Sequence, residues 1–143
     1  MRTIESSKTS VASMDVILSI KPKYVQSIIE GDKRYEFRKA IFKNRTINRV
    51  FIYSSSPVKR IVALFEISTI LEDHPALLWD SVKEYAGIDD REFFSYFEGK
   101  SRGYAIGIEN VQEFDEPIDP RATIPGFVPP QSYCYLAGVA GGN

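Results

Sequence analysis

Eight consecutive residues, Gly31-Asp32-Lys33-Arg34-Tyr35-Glu36-Phe37-Arg38, gather three cations, two carboxylates and two aromatic rings behind a turn glycine. Side chains alternate between the two faces of a strand. In an extended conformation Tyr35 and Phe37 point one way, into a core. Arg34, Glu36 and Arg38 point the other way, with Lys33 at the entrance to that row. Lys33 and Arg38 can clamp a phosphate or hydrogen-bond a base edge, because ammonium and guanidinium groups supply several charge-assisted donors. Glu36 can hold those cations in place, or accept from an exocyclic amine as carboxylates do with cytosine. The plainer alternative is a solvated charged face on a half-buried strand, the commoner fate of such a row.

A third carboxylate stands out for its setting. Glu66 interrupts the apolar run Ile61–Ile67, and a carboxylate on a buried strand needs a partner or a task. Before that run, Ser54-Ser55-Ser56-Pro57 breaks a strand and offers hydroxyl and backbone donors of the kind that hold phosphate. Other chemistries find less support. One histidine (His74) and one cysteine (Cys134) are too few for a typical zinc site, and a single cysteine forms no internal disulfide. Neither a metal nor a cofactor is expected. A Cys134–His74 nucleophile pair is compatible with the sequence, although His74 in Asp73-His74-Pro75 suits an exposed helix start. No GxxxxGK[ST] or GxGxxG loop is present to cradle a nucleotide phosphate.

The formal net charge of −1 conceals an uneven distribution. Residues 21–60 carry eleven Lys or Arg against Glu30, Asp32 and Glu36, whereas residues 61–143 carry five cations and fourteen anions. A local excess of +8 draws phosphates or an acidic protein partner unless the acidic half covers it in the fold. With 143 residues, 43% apolar and 26% charged, the chain has the size and balance of one globular domain. No apolar run approaches the ~20 residues of a membrane span, and no secretory signal is evident. The default compartment is therefore the cytoplasm.

These candidate residues need elements to position them. Asp15–Ile20 is apolar and β-branched, a buried strand. Pro22 suits the first turn of a helix whose Tyr24, Val25, Ile28 and Ile29 recur at helical spacing and whose stop is Gly31. After a basic loop over 39–48, strands are predicted at Arg49–Tyr53 and Ile61–Ile67. Two helices follow. Asp73 is the expected cap of the first, which turns Leu77, Leu78, Val82 and Tyr85 inward and stops at Gly87. Asp89 caps the second, which carries Phe93, Phe94 and Phe97 to Gly99. Trp79 and these phenylalanines could stack bases, but their helical spacing fits core packing. Gly103–Ile108 and Asn110–Phe114 read as two strands or one bent strand, with Gly107 at a bulge or close backbone contact. A proline-rich excursion over 117–130 leads to a closing strand at Gln131–Leu136. Residues 1–13 read as a disordered leader, 14–137 as the domain and 138–143 as a flexible tail.

Gly31-Asp32-Lys33 with Glu36 and Arg38, placed after a strand and short helix, resembles the ASCH domain, a branch of the PUA-like superfamily. The Ile20-Lys21-Pro22 element, the Tyr53-Ser54-Ser55-Ser56-Pro57 turn, Phe65-Glu66, Gly103-Tyr104-Ala105-Ile106 and Pro129-Pro130-Gln131-Ser132-Tyr133 extend the likeness over most of 14–136. The resemblance is strongest to a subgroup labelled as predicted transcriptional regulators. It implies an α+β fold: a PUA-like, partly open β-barrel with flanking short helices and a cleft beside the first helix. It also implies binding of RNA, a nucleotide or a nucleoside, at a cleft lined by Lys33, Glu36, Arg38, Ser54, Ser55, Ser56, Glu66, Gln131 and Ser132.

Some members of the family are enzymes. One branch hydrolyses N4-acetylcytidine with a lysine, a threonine three residues later and a glutamate on a later strand. Lys33 and Glu66 match that pattern, but Glu36 stands at the nucleophile position. A carboxylate there could act as general base on water, with Lys33 stabilising the oxyanion. Ribonuclease activity is the other enzymatic alternative, and a protein-interaction module the non-nucleic-acid one.

Overall fold

In a computed structural model of the chain, which describes residues 14–130 and 133–137, six strands form one sheet in the order β2-β5-β4-β3-β1-β6. The expected leader and tail, and Gln131 and Ser132, lie outside the described residues. Next to the β6 edge, β1 (Met14–Ile20) and β3 (Arg49–Ser54) pair in parallel, Val16–Ile20 against Val50–Ser54. Both are near-continuous apolar runs, as parallel strands covered on two faces must be. β6 (Tyr133–Ala137) adds antiparallel to the other edge of β1.

β4 (Arg60–Asp73) and β5 (Gly103–Ile118) are longer than the apolar patterns alone suggest. Their outer halves bear charged side chains, which hide a strand from hydrophobic periodicity. Of the two readings of 103–114, two strands or one bent strand, the single strand is the one found, and it continues to Ile118 inside the segment expected to be an excursion. Register shifts between Ile67 and Ile70 opposite Gly107, where a Cβ would stand 2.3 Å from Ser68 Oγ. That glycine is required by the close approach of the neighbouring strand.

β2 (Tyr35–Arg38) completes the sheet on the far edge of β5. No ladder joins β2 to β6 among the described residues, so the sheet is not closed and the barrel expected from the resemblance is open at this seam. Helix α1 (Pro22–Glu30) stands at the seam, with Pro22 in its first turn and Gly31 at φ 89° ending it. Val25 and Ile28 of α1 are buried in a core with Val16, Leu18, Ile20, Val50, Ile52, Phe65 and Ile106.

A second core forms where α2 (Pro75–Val82) and α3 (Asp90–Tyr96) cover β2 and the start of β5. Phe37 of β2 meets the edges of Phe93 and Phe97, with centroids 5.0 and 6.3 Å away. The α3 phenylalanines are mainly core, although Phe94 is exposed. Three details of these helices differ from expectation. The cap of α2 is His74, whose Nδ1 accepts from the Ala76 N–H, while Asp73 accepts from the His74 N–H. Leu77 and Tyr85 are exposed rather than inward-facing. Leu78 takes the buried place beside Leu77, and the chain tightens to a 3₁₀ turn at Lys83–Tyr85, which rotates Tyr85 away from the sheet. A one-turn helix, α4 (Pro120–Thr123), follows β5. None of the helices among the described residues is long and apolar enough to cross a membrane.

Candidate functional site

The seam between the two cores is not filled. A cavity of about 190 Å³ opens there, lined by Ser19, Ile20 and Lys21 from the end of β1, Tyr24 from α1, and Lys33, Glu36, Phe37 and Arg38 from β2 and its approach. Ile88, Glu92 and Tyr96, on and before α3, close the remaining side. Ordinary small-molecule pockets run to ~300–1,000 Å³, so this one suits a single compact group.

Lys33 occupies the floor of the cavity, not its entrance as the strand pattern suggests, with only 2% of its surface exposed. Its backbone is set by α1, because the N–H groups of Asp32 and Lys33 both donate to the Ser27 carbonyl. Its Nζ donates to the Ala86 carbonyl at 2.9 Å and lies over the rings of Phe37 (4.5 Å) and Tyr24 (5.2 Å). From behind, Gly87 packs against the stem, and a Cβ there would fall 2.4 Å from Lys33 Cβ. Gly87 also holds φ 72°, so both backbone shape and space exclude a larger residue. Burial disfavours the ammonium and brings the Lys33 pKa down from 10.5 to about 8, with the nearby Glu36 carboxylate opposing the fall.

Glu36 is also buried, and its Oε2 lies 3.4 Å from Arg38 Nε. Arg38 Nη2 donates to the Ser19 carbonyl at 2.9 Å, a bond that ties β2 across the open seam to β1. The predicted alternation of β2 holds only in part: Glu36 and Arg38 turn inward on the cavity, but Phe37 lines it with them, while Arg34 is exposed and lies against the Tyr85 ring. On the opposite wall the Tyr24 hydroxyl donates to Glu92, which also pairs with Lys23. Burial pushes the Tyr96 hydroxyl pKa upward, Arg38 opposes this, and Glu36 adds to it. Lys39 Nζ lies 4.7 Å from the Tyr96 ring centroid.

The structure therefore brings together Lys33, Glu36 and Arg38, and places Glu66 and the serine turn, among the described residues expected at the cleft, outside the cavity lining. Glu66 accepts from Asn110 Nδ2 at 2.8 Å and does not line the cavity. It sits on the half-exposed side of β4, so the partner its carboxylate needs is the side-chain amide of a neighbouring strand. Ser54 is buried at the end of β3, and the Ser55 N–H donates to the Ile20 carbonyl. The serine turn thus braces the strand end that lines the cavity without lining it itself.

Sequence reasoning missed Tyr24, Ile88, Glu92 and Tyr96. Tyr24 was hidden in an apolar helical stripe, while Glu92 and Tyr96 come from a helix that periodicity assigns to core and Ile88 from the turn before it. Gly87 and Asp89 did carry a usable signal, since a helix stop and a cap two residues apart locate Ile88 between them. Among the described residues no group of three His, Cys, Asp or Glu side chains is arranged to hold a metal.

Comparison with known proteins places this geometry. An ASCH domain-containing ribonuclease from Zymomonas mobilis subsp. mobilis is 27% identical over 127 residues, spanning 85% of this chain and 84% of that protein. The crystal structure of ASCH from Zymomonas mobilis superposes with a TM-score of 0.78 at 26% identity, over 85% of this chain and 87% of that one. A point variant of the same protein gives 0.79 at 25% identity, over 85% and 89%. The ASCH domain pattern itself matches residues 18–118, which include every residue lining the cavity. The chain belongs to the ASCH domain family.

Proposed function

We propose that this domain binds single-stranded RNA at the seam cavity and cleaves it there. The observation that carries this reading is the convergence of Lys33, Glu36 and Arg38 on one small cavity. A lysine buried at the floor of a cleft beside a carboxylate has the perturbed character of a functional group. The relative from Zymomonas mobilis, alike over most of both chains, is named a ribonuclease, which favours RNA over other phosphorylated partners.

The geometry suits attack by the ribose itself. Glu36 takes the proton of a 2′-hydroxyl, whose oxygen bonds to the adjacent phosphorus. The bond from phosphorus to the 5′-oxygen breaks, and Lys33 supplies the proton to that leaving oxygen. Arg38 stabilises the charge on the non-bridging oxygens. A proton donor with a pKa of about 8 is close to the optimum for such a transfer at neutral pH. The products are a 2′,3′-cyclic phosphate and a 5′-hydroxyl, and DNA, lacking the nucleophile, is left intact. Lys21 and Lys23 at the mouth add the phosphate contacts that position a strand.

The N4-acetylcytidine chemistry loses support, because it needs a second carboxylate beside Lys33 and Glu66 is engaged elsewhere. The test is incubation of end-labelled single-stranded RNA with the wild-type protein and with Glu36→Gln. Cyclic-phosphate fragments from the wild type alone support cleavage. Binding without fragments would make the domain an RNA reader and not a nuclease. Absence of both binding and fragments refutes the reading.

A further inference from the structure

On the other side of the Lys33 wall lies a second, shallower groove. Its lining includes Gly31, Asp32, Arg34, Glu84, Tyr85 and Gly87, and Ile88 belongs to both concavities. The Arg34 guanidinium carbon sits 4.4 Å from the centroid of the Tyr85 ring, and both side chains are exposed. Their backbones are joined by the Arg34 N–H to Tyr85 carbonyl bond of 2.8 Å, and Arg34 Nε reaches the Gly31 carbonyl at 3.3 Å. The pair is therefore a fixed platform, bordered by two glycines that place no side chain over it. Platforms of guanidinium and aromatic ring are what unpaired bases stack on.

We infer that this groove takes the base of the nucleotide next to the one held in the seam cavity, and that it prefers a base with an exocyclic amine. The inference rests on the RNA reading above and extends it to a two-nucleotide site. Continuity supports it, since one residue separates Gly87 behind Lys33 from Asp89, and Ile88 between them lines both spaces. Charge decides which part of the nucleotide enters. Asp32 and Glu84 have no side-chain hydrogen bond or ion pair among the described residues, while Asp89 caps α3 by accepting from the Glu92 N–H. Two uncommitted carboxylates beside one guanidinium repel a phosphate and accept from amino groups, which cytosine, adenine and guanine carry and uracil lacks. The phosphates then follow the lysine-bearing side of the cavity mouth.

The experiment compares a mononucleotide with dinucleotides bearing cytidine, adenosine or uridine at the flanking position, by titration against backbone amide signals of the full chain. Dinucleotides ending in cytidine or adenosine should bind about tenfold more tightly than the mononucleotide, with shifts at Arg34 and Tyr85, and uridine should gain less. Tyr85→Ala should erase the dinucleotide advantage and leave mononucleotide affinity unchanged, whereas Tyr85→Trp should retain it. Equal affinity for mono- and dinucleotides, or a dinucleotide advantage indifferent to Tyr85→Ala, overturns the groove and leaves the cavity reading standing. Failure of every ligand to shift Lys33 or Arg38 overturns both.

Discussion

Replacing Lys33 by methionine removes the ammonium while keeping a stem of similar length against Gly87, Tyr24 and Phe37. In the unfolded chain the amine titrates near 10.5, and in the folded protein near 8. Below about pH 8 both states carry the proton, and burial of the charge costs about 3 kcal/mol, at ~1.4 kcal/mol per tenfold change in proton affinity. Between about 8 and 10.5 the folded state has released a proton that the unfolded state still holds, so wild-type stability rises with pH and the cost disappears. Methionine abolishes this term but leaves the Ala86 carbonyl without its 2.9 Å donor, a loss of about 1–2 kcal/mol. Lys33→Met should thus be more stable than wild type by about 1–2 kcal/mol at pH 7 and less stable by a similar amount near pH 10.5. Urea denaturation of both proteins across that range measures the difference, and titrations common to the two cancel. A difference that stays flat from pH 7 to 10.5 would refute the argument, because it would mean the amine is not held in a charge-averse site. A destabilised charged lysine is retained at a cost to stability where function uses it.

Other consequences follow from the same geometry. Gly87→Ala places a Cβ 2.4 Å from Lys33 Cβ at a positive φ, and should lower stability by about 2–4 kcal/mol in thermal or urea unfolding. It should also move Lys33 off the cavity floor and so reduce RNA cleavage further than the loss of folded protein explains. Arg49→Ala leaves Asp15, which is 3% exposed and paired at 2.9 Å, as a buried carboxylate without its cation; a loss of about 3 kcal/mol is expected, with RNA affinity of the folded protein unchanged. In cleavage assays kcat/KM should fall as pH rises through about 8, the pH at which the free protein loses the Lys33 proton.

Much of the fold was legible because local rules and tertiary demands agree there. Pro22 and Gly31 bound α1, Asp89 caps α3, and the apolar runs of β1 and β3 are strands buried in parallel. Legibility stopped where a strand leaves the core. The outer parts of β4 and β5 pair through backbone bonds but carry Glu72, Asp73, Glu113 and Glu116 to solvent, so apolar spacing gives no warning of their length. At the site, the eight-residue motif identified Lys33, Glu36 and Arg38 because their residue types are unusual on one short strand. It could not show that Glu36 and Arg38 turn inward while Arg34 stays outside, since that depends on the sheet remaining open and on α3 covering the gap. Glu66 misled for a related reason. A carboxylate in an apolar run signals a partner, and Asn110 on the next strand meets that need as well as a catalytic site would.

The most direct test of the account is the fate of a single-stranded RNA and of the DNA of the same sequence, each incubated with wild-type protein and with Lys33→Met, followed by analysis of the new ends. The account predicts RNA fragments bearing 2′,3′-cyclic phosphates with the wild type, none with Lys33→Met although that protein is folded, and intact DNA throughout. Cleavage that persists in Lys33→Met, or that cuts DNA equally, would contradict it.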